Sequence, residues 1–240
     1  MITIQSLLNL KDNYAWLLRD QASGAVGVVD PADACAVAKH INANGGRLDL
    51  ILLTHHHRDH TAGTDELRER FGARVVGPRA AVARLPVLDE AVGEGDAVRL
   101  GDAVGRVLDV PGHAIGHVAY YFDMPPALFC GDTLFSLGCG RLFEGTAEEL
   151  YGSLRRLAGL PAETLVCCGH EYTESNARFA RMVEPDNAAL AAYAEKVKAL
   201  RAAGKPSVPS RMGDEVALNP FLRAPDAAAF AELRTRKDNF

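Results

Sequence analysis

Three observations predict a mixed α/β body with a smaller helical unit behind it. Short apolar runs bounded by turns recur from Asn13 to Cys168, and helix-patterned segments separate them. After His170 those runs give way to stretches rich in Ala, Leu, Glu, Lys and Arg at helical spacing. Hydrophobic residues make up 48% and charged residues 24% of the 240, ordinary values for a chain with a substantial core.

Asn13–Leu18 and Ala25–Asp30 read as a hairpin turning at Gly24. Asp33–Asn44 spaces Cys35, Val37, Ala38 and Ile41 as a helix does, and Gly45-Gly46 ends it. Leu48–Leu53 is a compact apolar run of the buried-strand type, and it leads straight into His55. Ala62–Phe71 is predicted helical with Gly72 as its stop. Strands are predicted at Arg74–Val76, Val98–Leu100, Val104–Val110, Val118–Phe122, Ala127–Cys130 and Leu165–Cys168, with a helix at Glu148–Leu157. In the last part Ser175–Met182, Ala188–Ala203 and Asp226–Arg236 read as helices, with Gly204–Pro220 as a linker.

A net charge of -5 speaks against a nucleic-acid polyanion as the main partner. No basic segment followed by a long apolar stretch opens the chain, and no apolar run is long enough for a bilayer. Cys167 and Cys168 are strand neighbours on opposite faces, so the five cysteines are expected as reduced thiols in a cytoplasmic protein.

The segment Thr54-His55-His56-His57-Arg58-Asp59-His60 carries the chemistry. In extended backbone His55 and His57 project to one side and can chelate one cation, while Asp59 and His60 can face a second. Imidazole with carboxylate suits zinc, iron or manganese. Further candidates come at strand ends: His113 in Pro111-Gly112-His113, Asp132 in Gly131-Asp132-Thr133, and His170 in Gly169-His170-Glu171. Five of the eight histidines fall in these slots. His40 reads as a surface residue and His56 as a structural neighbour of the ligands. His117 reads as a hydrogen-bonding loop residue, with ligation the alternative. No G-x-S-x-G elbow is present, and Cys139 reads as packing within a tight turn rather than as a nucleophile.

The heptapeptide resembles the T-H-x-H-x-D-H signature of the metallo-β-lactamase superfamily, and His113, Asp132 and His170 come after it in the matching order. Gly131–Phe135, Gly138–Thr146, Cys168–Thr173, Asn219–Arg223 and Arg234–Phe240 resemble glyoxalase II, the hydroxyacylglutathione hydrolases, so the likeness spans essentially the whole chain. It implies an αββα sandwich over residues 1–170 and a helical substrate-binding domain over 171–240. It also implies two divalent metal ions, zinc in the first place. His55, His57 and His113 would hold one, Asp59, His60 and His170 the other, with Asp132 bridging.

The implied reaction hydrolyses S-(2-hydroxyacyl)glutathione, S-D-lactoylglutathione giving D-lactate and glutathione, as the second step of methylglyoxal detoxification. Two divalent cations less Asp59, Asp132 and a bridging hydroxide leave one net positive charge, suited to an oxyanion. The hydroxide would attack the thioester carbonyl, with Asp59 also able to orient it. By the same resemblance Arg141, Phe143, Tyr172, Arg234 and Lys237 fall at substrate-contacting positions. Many relatives have Lys and Tyr where this chain has Arg141 and Phe143. Arg141 keeps the charge, and Phe143 lacks a hydroxyl. Periodicity alone would leave Arg234 and Lys237 as a solvated helix end. The expected partner is a small glutathione thioester, without nucleic acid or membrane, bound by a monomer. A lactonase or a persulfide dioxygenase on the same fold is the competing reading.

Overall fold

Residues 1–240 are all described by the computed structural model. The first sheet begins with an antiparallel hairpin of β1 (Ile2–Asn9) and β2 (Asn13–Asp20), continued by β3 (Val26–Val29). Helix α1 (Ala34–Ala43) then crosses over to β4 (Leu50–Leu52), which lies parallel to β3. Two short helices, α2 (Arg58–Thr61) and α3 (Thr64–Phe71), lead to β5 (Arg74–Pro78) and β6 (Glu90–Val92), giving the order β1-β2-β3-β4-β5-β6.

The second sheet is built from β7 (Ala97–Leu100), β8 (Ala103–Asp109), β9 (Val118–Asp123) and β10 (Pro126–Gly131). A two-stranded ribbon comes next, β11 (Leu134–Phe135) with β12 (Gly138–Cys139), and then α4 (Ala147–Leu157) and β13 (Leu165–Cys168). The remaining chain forms α5 (Thr173–Val183), α6 (Ala188–Ala202), β14 (Ser210–Arg211), α7 (Met212–Leu218) and α8 (Ala227–Asp238). The order is β14-β13-β10-β9-β8-β7.

The period of two along the strands sorts side chains into layers. Leu50 and Leu52 join the large core between the sheets, while Ile51 and Leu53 pack with Val37, Ile41 and Leu67 of the covering helices α1 and α3. Trp16 and Leu18 likewise face inward, and Ala15 and Leu17 face the helices. On the far side Leu150, Leu154 and Leu157 of α4 close the large core. The result is the expected αββα sandwich. Truncating a fully buried member such as Leu52 to alanine should cost about 2–5 kcal/mol.

Several predicted elements are corrected. The strand β1 escaped prediction because only its two ends are buried, so its alternation is weak. The helix expected from Ala62 begins only at Thr64, with Gly63 as its N-cap, and a separate short helix α2 precedes it. A Cβ at Gly63 would lie 2.6 Å from the Pro31 carbonyl oxygen, and Gly63 N–H donates to that oxygen at 2.9 Å. Gly204–Pro220, expected as a linker, contains β14 and α7. Met212 N–H donates to the Thr164 carbonyl and Gly213 N–H to that of Ala162, tertiary partners that local sequence does not advertise. All five cysteines are free, four of them buried. No helix is long and apolar enough to cross a membrane.

Candidate active site

Strand β4 ends against a buried carboxylate that shapes the histidine-rich loop beyond it. Asp30, at φ +52° after β3, accepts from Thr54 N–H at 2.8 Å and Thr54 Oγ1 at 2.7 Å. Thr54 Oγ1 lies 3.0 Å from His55 Nδ1, and Asp30 Oδ2 lies 3.0 Å from His60 Nδ1. One anion thus fixes two rings, turning each Nε2 toward the same interior.

The other rings are held the same way. His113 Nδ1 lies 2.9 Å from the Arg141 carbonyl oxygen, and His170 Nδ1 lies 3.0 Å from Asp12 Oδ1. His57 presents Nδ1 instead, 3.1 Å from His113 Nε2. His55, His57 and His113 therefore form one group able to hold a metal ion, and Asp59, His60 and His170 form another. Asp132 stands between them. Its Oδ1 is 3.3 Å from His60 Nε2, and its Oδ2 is 3.3 Å from His170 Nε2 and 3.6 Å from His113 Nε2.

Glycines give this carboxylate its place. Gly131, at φ +47°, ends β10, and a Cβ there would sit 2.9 Å from the His117 ring. Gly169 directly follows β13, and a Cβ there would lie 2.6 Å from His60 Cε1. His117 stacks on His55 with ring centres 4.5 Å apart, and its Nε2 accepts from Asp132 N–H at 3.2 Å. Its place is the hydrogen-bonding one. His56 lies 3.4 Å from Glu144, which also pairs with Arg84. His40 sits on α1, outside both groups.

The donor set fits divalent cations. His55 Nε2 and Asp132 Oδ1 are buried without hydrogen-bond partners, a costly arrangement unless something positive lies between them. Two pairs of ring nitrogens also meet at hydrogen-bond distance, which a shared cation would reconcile. Burial pushes His55 well below the usual histidine range and lowers His57 and His113, favouring the neutral rings that ligation requires. Burial also opposes charge on His170, but the Asp132 and Asp59 carboxylates outweigh it and hold that ring up at about 10. Asp132 prevails in the same way at His60, which stands well above the ordinary value. The second group is thus the more anionic of the two.

A cavity of about 660 Å³ opens from His113 and Asp132. Arg141, Phe143, Tyr172, Arg234 and Lys237 all line it. Tyr172 stacks parallel to His170 with ring centres 4.6 Å apart, and the Phe143 ring lies 5.2 Å from that of His113. Lys237 Nζ donates to Ser175 at 3.2 Å. Arg234 is only 4% exposed and donates to the Cys139 carbonyl at 3.0 Å and to Asp238 at 2.9 Å. A smaller cavity of about 220 Å³ by β1 and α1 holds none of these residues.

Comparison with known proteins agrees with this geometry. Residues 9–170 match the metallo-beta-lactamase superfamily, and residues 171–240 match the hydroxyacylglutathione hydrolase C-terminus. A protein of Acidiphilium cryptum named hydroxyacylglutathione hydrolase is 56% identical, over 99% of this chain and 97% of its own length. The chain belongs to the hydroxyacylglutathione hydrolase family. Its relative of the same name in Methylococcus capsulatus is 50% identical over 100% of this chain and 99% of its own. Among solved structures, ETHE1 from Myxococcus xanthus superposes with a TM-score of 0.75 at 26% identity, covering 97% of this chain and 90% of that one.

Sequence reasoning missed two carboxylates in this family member. Asp30 ends a predicted strand as the candidate ligands do, and that position was the available signal. Asp12 lies in the β1–β2 turn, which was invisible without β1.

Proposed function

We propose that this chain hydrolyses S-(2-hydroxyacyl)glutathione to a 2-hydroxy acid and glutathione, with S-D-lactoylglutathione as the expected substrate. One observation carries the reading: Asp132 and His113 belong both to the His/Asp groups and to the wall of a cation-lined cavity. A lactonase would have no use for that cation lining, and the family relationship over the whole chain disfavours a persulfide dioxygenase.

In this reading His55, His57 and His113 hold one divalent cation, and Asp59, His60 and His170 hold a second, with Asp132 shared between them. Zinc comes first, and iron or manganese also suits the donors. Such cations, when bound, polarise a carbonyl and make a nucleophilic water available near neutral pH.

The chain's own residues do the rest. Asp30, Thr54, Asp12 and the Arg141 carbonyl keep four rings turned toward the centre. Arg141 and Lys237 supply charge for the substrate's carboxylates, while Phe143 and Tyr172 flank the thioester. The leaving thiolate is a weak base, so no side chain is needed to protonate it as the C–S bond breaks. Burial pushes the Cys139 thiol up to about 11, which leaves it un-ionised and inert as a nucleophile.

Residues 1–170 act as the catalytic domain in this proposal and residues 171–240 as the substrate-binding domain, in a cytoplasmic monomer. The test is steady-state hydrolysis of S-lactoylglutathione by the purified chain, with elemental analysis of the same sample. Turnover with about two metal ions per chain is expected. One iron per chain without thioester cleavage would sink the reading.

A further inference from the structure

Asp59 is the one exposed member of the two His/Asp groups. Its side chain is 46% exposed, against 1% for His60 and 4% for His170, so packing does little to choose its rotamer. Outside the His/Asp cluster its carboxylate has a single polar partner, the buried Asn13. The Asn13 amide donates to the Asp59 carbonyl oxygen at 2.9 Å and to Asp59 Oδ2 at 3.1 Å. Both partners are acceptors, so the amide must present its nitrogen, and its two N–H bonds can serve one oxygen each. That carbonyl is open because Gly63 N–H, four residues on, turns to the Pro31 carbonyl instead. One side chain thus grips both the backbone and the carboxylate of Asp59.

We propose that Asn13 is a positioning residue that locks the Asp59 carboxylate toward His60 and His170. This role rests on the reading of the two groups as metal sites. Asp59 Oδ2 lies 3.4 Å from His170 Nε2 and 3.8 Å from His60 Nε2. Without a lock, an exposed carboxylate turns to water for part of the time, and cation affinity falls with the fraction still facing inward. An amide donates without bringing a charge of its own, so the carboxylate stays an anion available to a cation. The preceding residue, Asp12, orients His170, so two consecutive residues at the mouth of the β1–β2 hairpin hold two members of this group. No hydrogen bond runs from either of them to His55, His57 or His113. The hairpin is fastened independently of the Asn13 side chain. Tyr14 N–H donates to the Gly169 carbonyl and Glu171 N–H to that of Asp12, each at 2.8 Å. Removing the amide therefore frees one carboxylate and leaves the strand moored.

The experiment removes zinc from the loaded chain with a competing chromophoric chelator, in wild type, Asn13→Ala and Asn13→Leu. Asn13→Ala should weaken one zinc ion about 10–100-fold, the range for losing a group that orients a ligand, and leave the other unchanged. Asn13→Leu fills the same space without donors and should weaken that ion alike. Asp59→Ala keeps the backbone carbonyl for Asn13 and has no carboxylate, so adding Asn13→Ala to it should cost little more. Equal weakening of both ions, weakening of neither, or wild-type affinity in Asn13→Leu would overturn the assignment. So would losses that simply multiply in the double variant, because Asn13 would then act through the backbone alone. A wild-type chain that holds only one zinc would overturn it as well. If wild type holds two ions yet cleaves no glutathione thioester, the hydrolase reading falls, and the zinc competition still decides the role of Asn13.

Discussion

His60 Nδ1 lies 3.0 Å from Asp30 Oδ2, and both side chains are buried. The same carboxylate holds Thr54, whose hydroxyl touches His55. Asp30 therefore orients one ring from each candidate metal group, although it belongs to neither proposed set. Replacing it with asparagine keeps the shape and removes the charge that fixes both tautomers. Asp30→Asn should lower metal affinity by about 10–100-fold, measured by competition with a chromophoric chelator. Equal affinity in the two proteins would show that backbone packing alone holds the rings.

How much of this was legible in the sequence depended on where the partner groups lie. Residues 50–53 announced both a buried strand and its two-sided packing, because local composition tracks burial on two faces. The candidate ligands were legible because each follows a strand end, where the sandwich gathers them. β14 and α7 were not, since their stability comes from β13 and the Ala162–Thr164 loop rather than from local pattern. The engagement of Arg234 was hidden for a related reason. Its partners include Cys139, distant in sequence, and a helix-end cation looks solvated until the turn it supports is known.

That engagement separates stability from binding. Arg234→Ala would leave the Cys139 carbonyl without its donor and remove the cation stacked on Phe221. A loss of about 1–3 kcal/mol in urea unfolding is expected. Lys237→Ala, at a half-buried side chain, should change unfolding far less and KM more. The reverse ranking would make Arg234 the stronger substrate contact of the two.

In the proposed reading Lys237 should also give the substrate interaction a pH dependence. It faces Arg234 and Asp238 on its own helix, Arg178 on α5, and Arg141 beyond β12, and burial with these cations lowers it to about 8. In the free enzyme its charge is present below that value and lost above it. KM for the glutathione thioester should therefore rise as pH passes about 8, and Lys237→Arg should remove the inflection. The sign for folding is opposite to that of a stabilised cation. Between about 8 and the ordinary lysine value of 10.5 the unfolded chain binds more protons, so this group makes stability rise with pH. An inflection that persists in Lys237→Arg would assign it to another group.

Gly169 tests whether the two candidate groups share one carboxylate. A Cβ at this position would meet Asp132 Oδ1 and lie 2.6 Å from His60 Cε1, with no flexible side-chain end to yield. Both atoms belong to the face where Asp132 reaches the Asp59–His60–His170 group rather than the His55–His57–His113 group. Gly169→Ala should fold, because β13 ends just before it, and Gly169 N–H can still donate to the Gly131 carbonyl. It should bind one metal ion more weakly than the other and lose about a hundred-fold in kcat/KM, the scale of a misplacement near 1 Å. Metal titration followed by elemental analysis would read the split directly. If both ions weaken by the same factor, or if neither does, Asp132 is not the hinge between the two groups.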